Sequence, residues 1–158
     1  RYVLGSILDD VVYAANLRLQ TMSRNRYSLE RSDYTGGGRG KQGLDLAVMD
    51  AFTGQSRPAN TLSGGETFLA SMALALGLAD VIQSYAGGIH MDTMFIDEGF
   101  GTLDPDTLEL AMETLVKLQS SGRLIGMISH VPELKTRIPA HLEVTRGDDG
   151  STAKFVIN

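Results

Sequence analysis

The stretch TLSGGETFLASMALALGLAD, residues 61–80, restricts the fold more than any other part of the chain. From Thr67 onward Leu69, Met72, Ala73, Leu76 and Ala79 or Asp80 recur at helical spacing, in a composition of strong helix formers. Ser63 followed by Glu66 three residues later is a capping box, which starts the helix at Ser63. The pattern then carries the helix to about Tyr85, with Gly87-Gly88 as its stop. Yet its first turn holds Gly64 and Gly65, each of which costs about 1 kcal/mol against alanine in a helix interior. Glycine lets another group approach the backbone closely. A helix N-terminus also presents free N–H groups and the positive end of a dipole, which suits an anion such as phosphate. Ser63 therefore has two readings: an N-cap alone, or a cap whose hydroxyl also meets a phosphate.

The remaining elements build an α/β chain around that helix. Residues 2–23 form an expected amphipathic helix, with Leu4, Leu8, Val11, Ala15 and Met22 on a 4-3 seam interrupted by Arg18. It is either an ordinary helix or the end of a longer coiled coil. Residues 26–31 and 43–53 alternate as strands do. TGGGRGKQG between them resembles a phosphate-binding loop only superficially: Thr35 stands where the first glycine of GxxxxGK[ST] belongs, and Gln42 follows Lys41. TMFID, residues 93–97, and RLIGMIS, residues 123–129, read as buried strands. Between them Asp104-Pro105 opens a helix with buried face Leu108, Ala111, Met112, Leu115 and Leu118, stopped by Gly122. Strand, helix, strand makes a βαβ unit with parallel strands. VPELKTRI is a short helix, and HLEVTR and TAKFVIN around GDDG form a terminal hairpin.

Three further features, four residues in all, are candidates for chemistry. Asp97 and Glu98 are adjacent carboxylates at a strand end. Alternation along the strand points them to different faces and suits them to different tasks. One can hold Mg²⁺ through water; the other can position or deprotonate an attacking water. Asp104 before Pro105 is an ordinary N-cap. His130 directly follows the second strand of the βαβ unit, on the carboxyl edge where ligands bind in parallel sheets. That edge also carries Glu98, one or two strand spacings away.

The composition narrows the classes. Of the 158 residues, 42% are hydrophobic and 21% charged, as in a soluble globular domain; no apolar run approaches the length of a membrane span. Cysteine is absent, which removes disulfides and thiolate metal sites and fits a reducing compartment. A chain opening on Arg1 reads as an excised piece. The net charge of −5 hides an asymmetry: residues 1–60 carry 8 basic against 6 acidic side chains, and residues 61–158 carry 6 against 13. Arg18, Arg24, Arg26, Arg31, Arg39 and Lys41 face only Glu30 and Asp33 in sequence. They form either a solvated surface or a contact to a nucleic-acid backbone.

Taken together, these residues resemble the ABC-type ATPases. LSGGE, Leu62 to Glu66, resembles the signature motif formed by Leu62, Ser63, Gly64, Gly65 and Glu66. MFIDE, residues 94–98, resembles Walker B with its catalytic glutamate. TLD, residues 102–104, resembles the D-loop, and His130 in ISH the switch histidine. Four such motifs in order within residues 62–130 are specific. Transporters of this class typically read LSGGQ and DEPTSALD. LSGGETFLASMALALGLADVIQSYAGGI followed by MFIDEGFGTLD is similar to the carboxyl-terminal lobe of the SbcC type, the bacterial double-strand-break repair ATPases. The similarity extends to GKQGLDLAVMDAFTG.

The resemblance implies half of a split P-loop NTPase. Its parts are residues 1–24 as the end of a returning coiled coil and residues 25–158 as the C-terminal lobe. That lobe is a parallel sheet core flanked by helices, with antiparallel elements. An N-terminal lobe supplies Walker A. Two heads sandwich ATP and Mg²⁺, each signature motif meeting the γ-phosphate bound by the opposite head. Glu98 and His130 are then catalytic, Asp97 the metal-side carboxylate and Asp104 the D-loop aspartate. Partners are the second head, an SbcD-like nuclease subunit and DNA, with no membrane, in a cytoplasmic, nucleoid-associated setting. The chain alone is expected to be inactive. Other readings are the head of an SMC-type chromosome-structuring ATPase, a transporter ATPase domain and a non-catalytic DNA-clamp lobe. GFG after Glu98 stands against the SMC head, Glu66 and the missing Walker A against the transporter, and Glu98 against the clamp.

Overall fold

The computed structural model describes residues 2–31, 46–87, 91–120 and 122–157, with side chains from Gly5 onward. Arg39, Lys41, the glycine-rich loop around them and Gly43 to Asp45 lie outside the described residues, as does the side chain of Leu4.

The order is α1 (Tyr2–Met22), β1 (Tyr27–Arg31), β2 (Leu46–Asp50), β3 (Gln55–Pro58), α2 (Gly64–Tyr85), β4 (Thr93–Asp97), α3 (Pro105–Ser120), β5 (Leu124–Ile128), α4 (Pro132–Arg137), β6 (Ala140–Gly147) and β7 (Gly150–Ile157). The strand β3 and the 3₁₀ turn Ala59–Thr61 after it carry no sequence signal, since Gln55-Ser56-Arg57-Pro58 is polar throughout. β3 forms because it pairs antiparallel with β2, Val48 opposite Arg57. On the other side β2 pairs antiparallel with β1, Leu29 opposite Val48. The outer edge of β1 meets α1: the Asn16 side chain donates to Leu29 O (2.9 Å) and accepts from Leu29 N (2.7 Å). One asparagine thereby satisfies both backbone groups that an edge residue leaves open.

The centre of the core is the α1–α2 contact. Val11, Ala15, Leu19 and Met22 are buried on α1, and Leu69, Met72, Ala73, Leu76 and Ala79 on α2. Gly77 allows the crossing: a Cβ there would lie 2.7 Å from both Ala15 N and Val11 O. Arg18, the interruption in the α1 seam, reaches Asp80 of α2 (2.5 Å). Asp80 also receives Arg123 at the start of β5 (2.8 Å), so one carboxylate ties three elements. The expectation that no segment is long and apolar enough to cross a membrane is corrected. α2 is 22 residues long with a mean hydropathy of 1.5 in its most apolar window. Its apolar face is spent on the core, where Leu69, Ala73 and Leu76 pack with Ala15, Leu19 and Phe100.

β4 and β5 are parallel, Phe95 opposite Gly126, with α3 as the crossover. Met94, Ile96, Ile125 and Met127 pack against the core. The reading of these two strands as buried is corrected. Phe95 is 74% exposed, and Leu124 and Ile128 are also exposed, because among the described residues only one face of this pair is covered. The terminal hairpin β6–β7 forms as expected, Gly147 opposite Gly150 across Asp148-Asp149. It likewise leaves Leu142, Val144, Phe155 and Ile157 exposed.

Among the described members of the basic cluster, three are paired in the fold. Arg18 pairs with Asp80, Arg26 with the buried Asp50 (3.0 Å) and Arg31 with Asp9 (3.0 Å). Hydrogen bonding to Arg26 holds the Asp50 carboxyl below its usual range. Among the described residues Arg24 makes only a long contact, to Asp106 at 3.8 Å with both side chains exposed.

Candidate active site

The signature segment is a helix start with an elaborate anchor. Ser63 is the N-cap of α2: its Oγ accepts from Glu66 N (3.4 Å), and its own N–H donates to Glu66 Oε2 (2.8 Å), completing the capping box. Two long-range partners complete the shell around Glu66. Tyr27 OH donates to Oε1 (2.5 Å), and Arg57 Nη2 donates to Oε2 (2.9 Å) while its Nη1 holds Thr61 O (3.1 Å). Burial pushes the Glu66 carboxyl up, but the donors from Tyr27, Ser63 and Arg57 outweigh it and hold it at about 2. Burial, reinforced by the bond to Glu66, pushes the Tyr27 phenol up to about 12. Sequence reasoning missed Tyr27 and Arg57, since β1 and β3 bring them in only after the sheet has formed.

The two glycines have a reason within this chain. A Cβ on Gly65 would lie 3.0 Å from Thr102 O, and one on Gly64 would lie 3.4 Å from Thr102 Cγ2. The turn Phe100–Thr102 thus passes directly over the first turn of α2. Ser63 and Gly64 are exposed. Among the described residues no acceptor takes the Gly64 or Gly65 amide, so the helix start stays open to an anion. Met22, Arg24, Arg26, Phe52, Ser63 to Glu66 and Thr102 to Asp104 line a groove of about 730 Å³ in front of it.

Asp104 caps α3, accepting from Thr107 N (3.0 Å) and Thr107 Oγ1 (2.6 Å). These bonds hold its carboxyl below the ordinary value. The structure therefore shows it as a cap on the rim of the signature groove.

Glu98 and His130 meet. β4 and β5 are adjacent, so one strand spacing separates their ends, and Glu98 Oε2 lies 2.9 Å from His130 Nδ1. Glu98 N donates to Ile128 O (2.9 Å), extending the ladder by one residue. Strand alternation does not extend to Glu98, however. Its φ is +59° and that of Gly99 is +99°, so the chain leaves the strand in the left-handed region. This turn, rather than alternation alone, sets the direction of Glu98 relative to Asp97. An L-residue in that region stores roughly 1–3 kcal/mol, as functional turns often do. Gly101 then passes beneath the imidazole: a Cβ there would lie 3.4 Å from His130 Nε2.

Asp97 ends β4 with an exposed side chain. No group of three or more His, Cys, Asp or Glu residues is placed to hold a metal by itself among the described residues. A single exposed carboxylate fits Mg²⁺ that keeps its waters and takes its other ligands from phosphate.

These features define a class. The chain has the head fold of SMC-type ATPases. A solved structure described as "Structural biochemistry of ATP-driven dimerization and DNA stimulated activation of SMC ATPases" matches 98% of this chain and 88% of its own, with a TM-score of 0.70 and 16% identity. Within that fold the chain is similar in sequence to SbcC/RAD50-like proteins. Residues 44–117 match the family described as SbcC/RAD50-like, Walker B motif. Over 156 residues it is 53% identical to the C subunit of the SbcCD nuclease of Vibrio cholerae serotype O1, covering 99% of this chain and 15% of that protein. Over 157 residues it is 52% identical to the corresponding SbcCD protein of Staphylococcus haemolyticus, again covering 99% and 15%. The chain thus spans about 15% of the length of the curated relatives it matches.

Proposed function

We propose that this chain is the C-terminal half of an SbcC-like DNA-repair ATPase head, which binds and hydrolyses ATP between two heads to control a partner nuclease on DNA ends. The observation that carries the reading is the Glu98–His130 contact at the carboxyl edge of β4–β5, in the same chain as an open, glycine-bearing helix start. A pure DNA clamp has no use for a carboxylate held in a left-handed turn against an imidazole.

In this reading Glu98 accepts the proton of the attacking water, and His130 orients the carboxylate through Nδ1 and stands beside the phosphate being released. Asp97 would hold Mg²⁺ through water, and the bound ion would supply charge neutralisation at the phosphate. Ser63 and the amides of Gly64 and Gly65 receive the γ-phosphate of ATP bound to the opposite head. Asp104, on the groove rim, belongs to the same head–head contact as the D-loop aspartate. The residues hold no GxxxxGK[ST], so the phosphate cradle comes from an N-terminal lobe of the same ATPase, and this chain alone turns over no ATP. Residues 1–24 are the end of the returning coiled coil, where an SbcD-like subunit docks. The exposed faces of β4–β5 and β6–β7 agree with a lobe completed by another segment. The setting is cytoplasmic and nucleoid-associated.

The test is Ser63→Arg in the full-length ATPase. The long side chain blocks the groove in trans and leaves the head's own phosphate cradle intact. ATP binding per head should persist, while ATP-driven pairing, followed by light scattering, and hydrolysis should both collapse. Pairing of Ser63→Arg heads at wild-type ATP levels refutes the role of the signature helix.

A further inference from the structure

We infer that Phe68, on the signature helix, is a positioning residue for Glu98, so that the anion-receiving helix start and the carboxylate–imidazole pair of one chain form a single unit. This rests on the reading of Glu98 as the base. Phe68 lies one turn into α2, partly buried. Its ring occupies the space on the Gly99 side of the turn, where a Cβ would fall within the ring at Cδ2 and Cε2. It also meets Phe100 edge-on, with centroids 4.9 Å apart at 62°. Phe100 is 1% exposed and anchors the turn in the core.

The segment Glu98–Thr102 is therefore clamped from two directions. On the α2 side are Phe68 against Gly99 and the Gly65 backbone beneath Thr102 O. On the β5 side are Ile128 O, which accepts from Glu98 N, and the His130 ring over Gly101. Within the segment Thr102 Oγ1 donates to Gly99 O (2.7 Å), closing the turn. Glu98 sits at φ +59° at the head of this turn. Left-handed backbone at a glutamate persists only where its surroundings enforce it. The Phe68 ring packs on the residue next to Glu98, and removing it frees Gly99, which has many conformations open to it. Glu98 then relaxes away from His130. GFG, residues 99–101, also acquires a physical meaning: Gly99 admits the Phe68 ring, Phe100 fills the core, and Gly101 clears the imidazole.

The experiment uses the full-length ATPase carrying Phe68→Ala, Phe68→Leu or Phe68→Tyr, with Glu98→Gln in parallel. Misplacing a base by about 1 Å costs on the order of 10²-fold. Phe68→Ala should therefore lower kcat by roughly 10- to 100-fold. KM for ATP and ATP-driven head pairing should stay within about two-fold, because neither the phosphate cradle nor Ser63 is altered. Phe68→Leu should fall between, and it decides the matter if Phe68→Ala does not fold. Phe68→Tyr keeps the ring edge on Gly99 and should restore kcat. Wild-type kcat in Phe68→Leu and Phe68→Ala overturns the inference, as does a parallel loss of pairing and kcat that Phe68→Tyr does not rescue. If Glu98→Gln itself hydrolyses ATP at the wild-type rate, the assignment of the base fails, and the positioning role with it. If Glu98→Gln is inactive while the Phe68 variants turn over normally, only the positioning role is lost.

Discussion

Glu66 is where the signature helix is bolted to the rest of the lobe, and its charge should be measurable as stability. The carboxyl sits at about 2 against an ordinary 4.5. A difference of that size corresponds to roughly 3 kcal/mol in favour of the folded state at neutral pH. Solvent reaches this rim position, where the side chain is 20% exposed, and screening reduces the figure to about 1–2 kcal/mol. In Glu66→Gln the amide oxygen can still accept from Ser63 N and Arg57, and the amide nitrogen can donate to Tyr27 OH. What is lost is the charge, not the shape. The sign follows from the direction of the shift. A depressed carboxyl contributes fully above its unfolded value and loses that contribution as pH falls through the folded value. The gap between wild type and Glu66→Gln should therefore be constant above about pH 5.5, then narrow steadily between pH 4.5 and 2. Urea midpoints of the two proteins at pH 7 and pH 3.5 measure it. A gap of the same size at both values would refute the electrostatic account and leave Glu66 as a neutral cap partner.

Three further perturbations test the packing and the site. Gly77→Ala inserts a Cβ 2.7 Å from the α1 backbone; it should destabilise by about 1–3 kcal/mol in denaturant unfolding despite raising helix propensity. Asp104→Ala removes both bonds to Thr107 and should cost about 1 kcal/mol as a lost cap; if it also abolishes hydrolysis in the full-length ATPase while Asp104→Ser restores only stability, the carboxylate acts beyond capping. Glu98→Gln should retain ATP binding in the assembled ATPase and lower the single-turnover hydrolysis rate by roughly 10²- to 10⁴-fold; hydrolysis at the wild-type rate would send the search for the base elsewhere.

Much of this protein is determined within four residues along the chain, and the sequence alone resolves it. The Ser63–Glu66 capping box, the apolar periodicity of α2 and α3, Pro105 after Asp104, and the two-residue turn of β6–β7 depend on neighbours in sequence. The parallel pairing of β4 with β5 follows nearly as directly, since a helical crossover allows little else. The order of motifs from Leu62 to His130 resembles that of an ATPase class, and the chain shares the fold of a solved SMC-type structure. What tertiary structure alone decided lies between residues far apart. Tyr27 and Arg57 meet on Glu66 only because β1, β2 and β3 form a sheet beside α2. Gly77 looks like a flaw in a helix until the α1 backbone arrives against it. Arg18 breaks the seam of α1 until Asp80 and Arg123 join it. The apolar runs at β4 and β5 state that these strands avoid water, not which faces are covered, and Phe95 remains in solvent among the described residues. Nor does any local pattern place Phe68 against Gly99, or force Glu98 into the left-handed turn that brings its carboxylate to His130. Capping and periodicity are local and additive along the chain; a close approach of two backbones or a clamp on a turn exists only once topology has brought distant segments together.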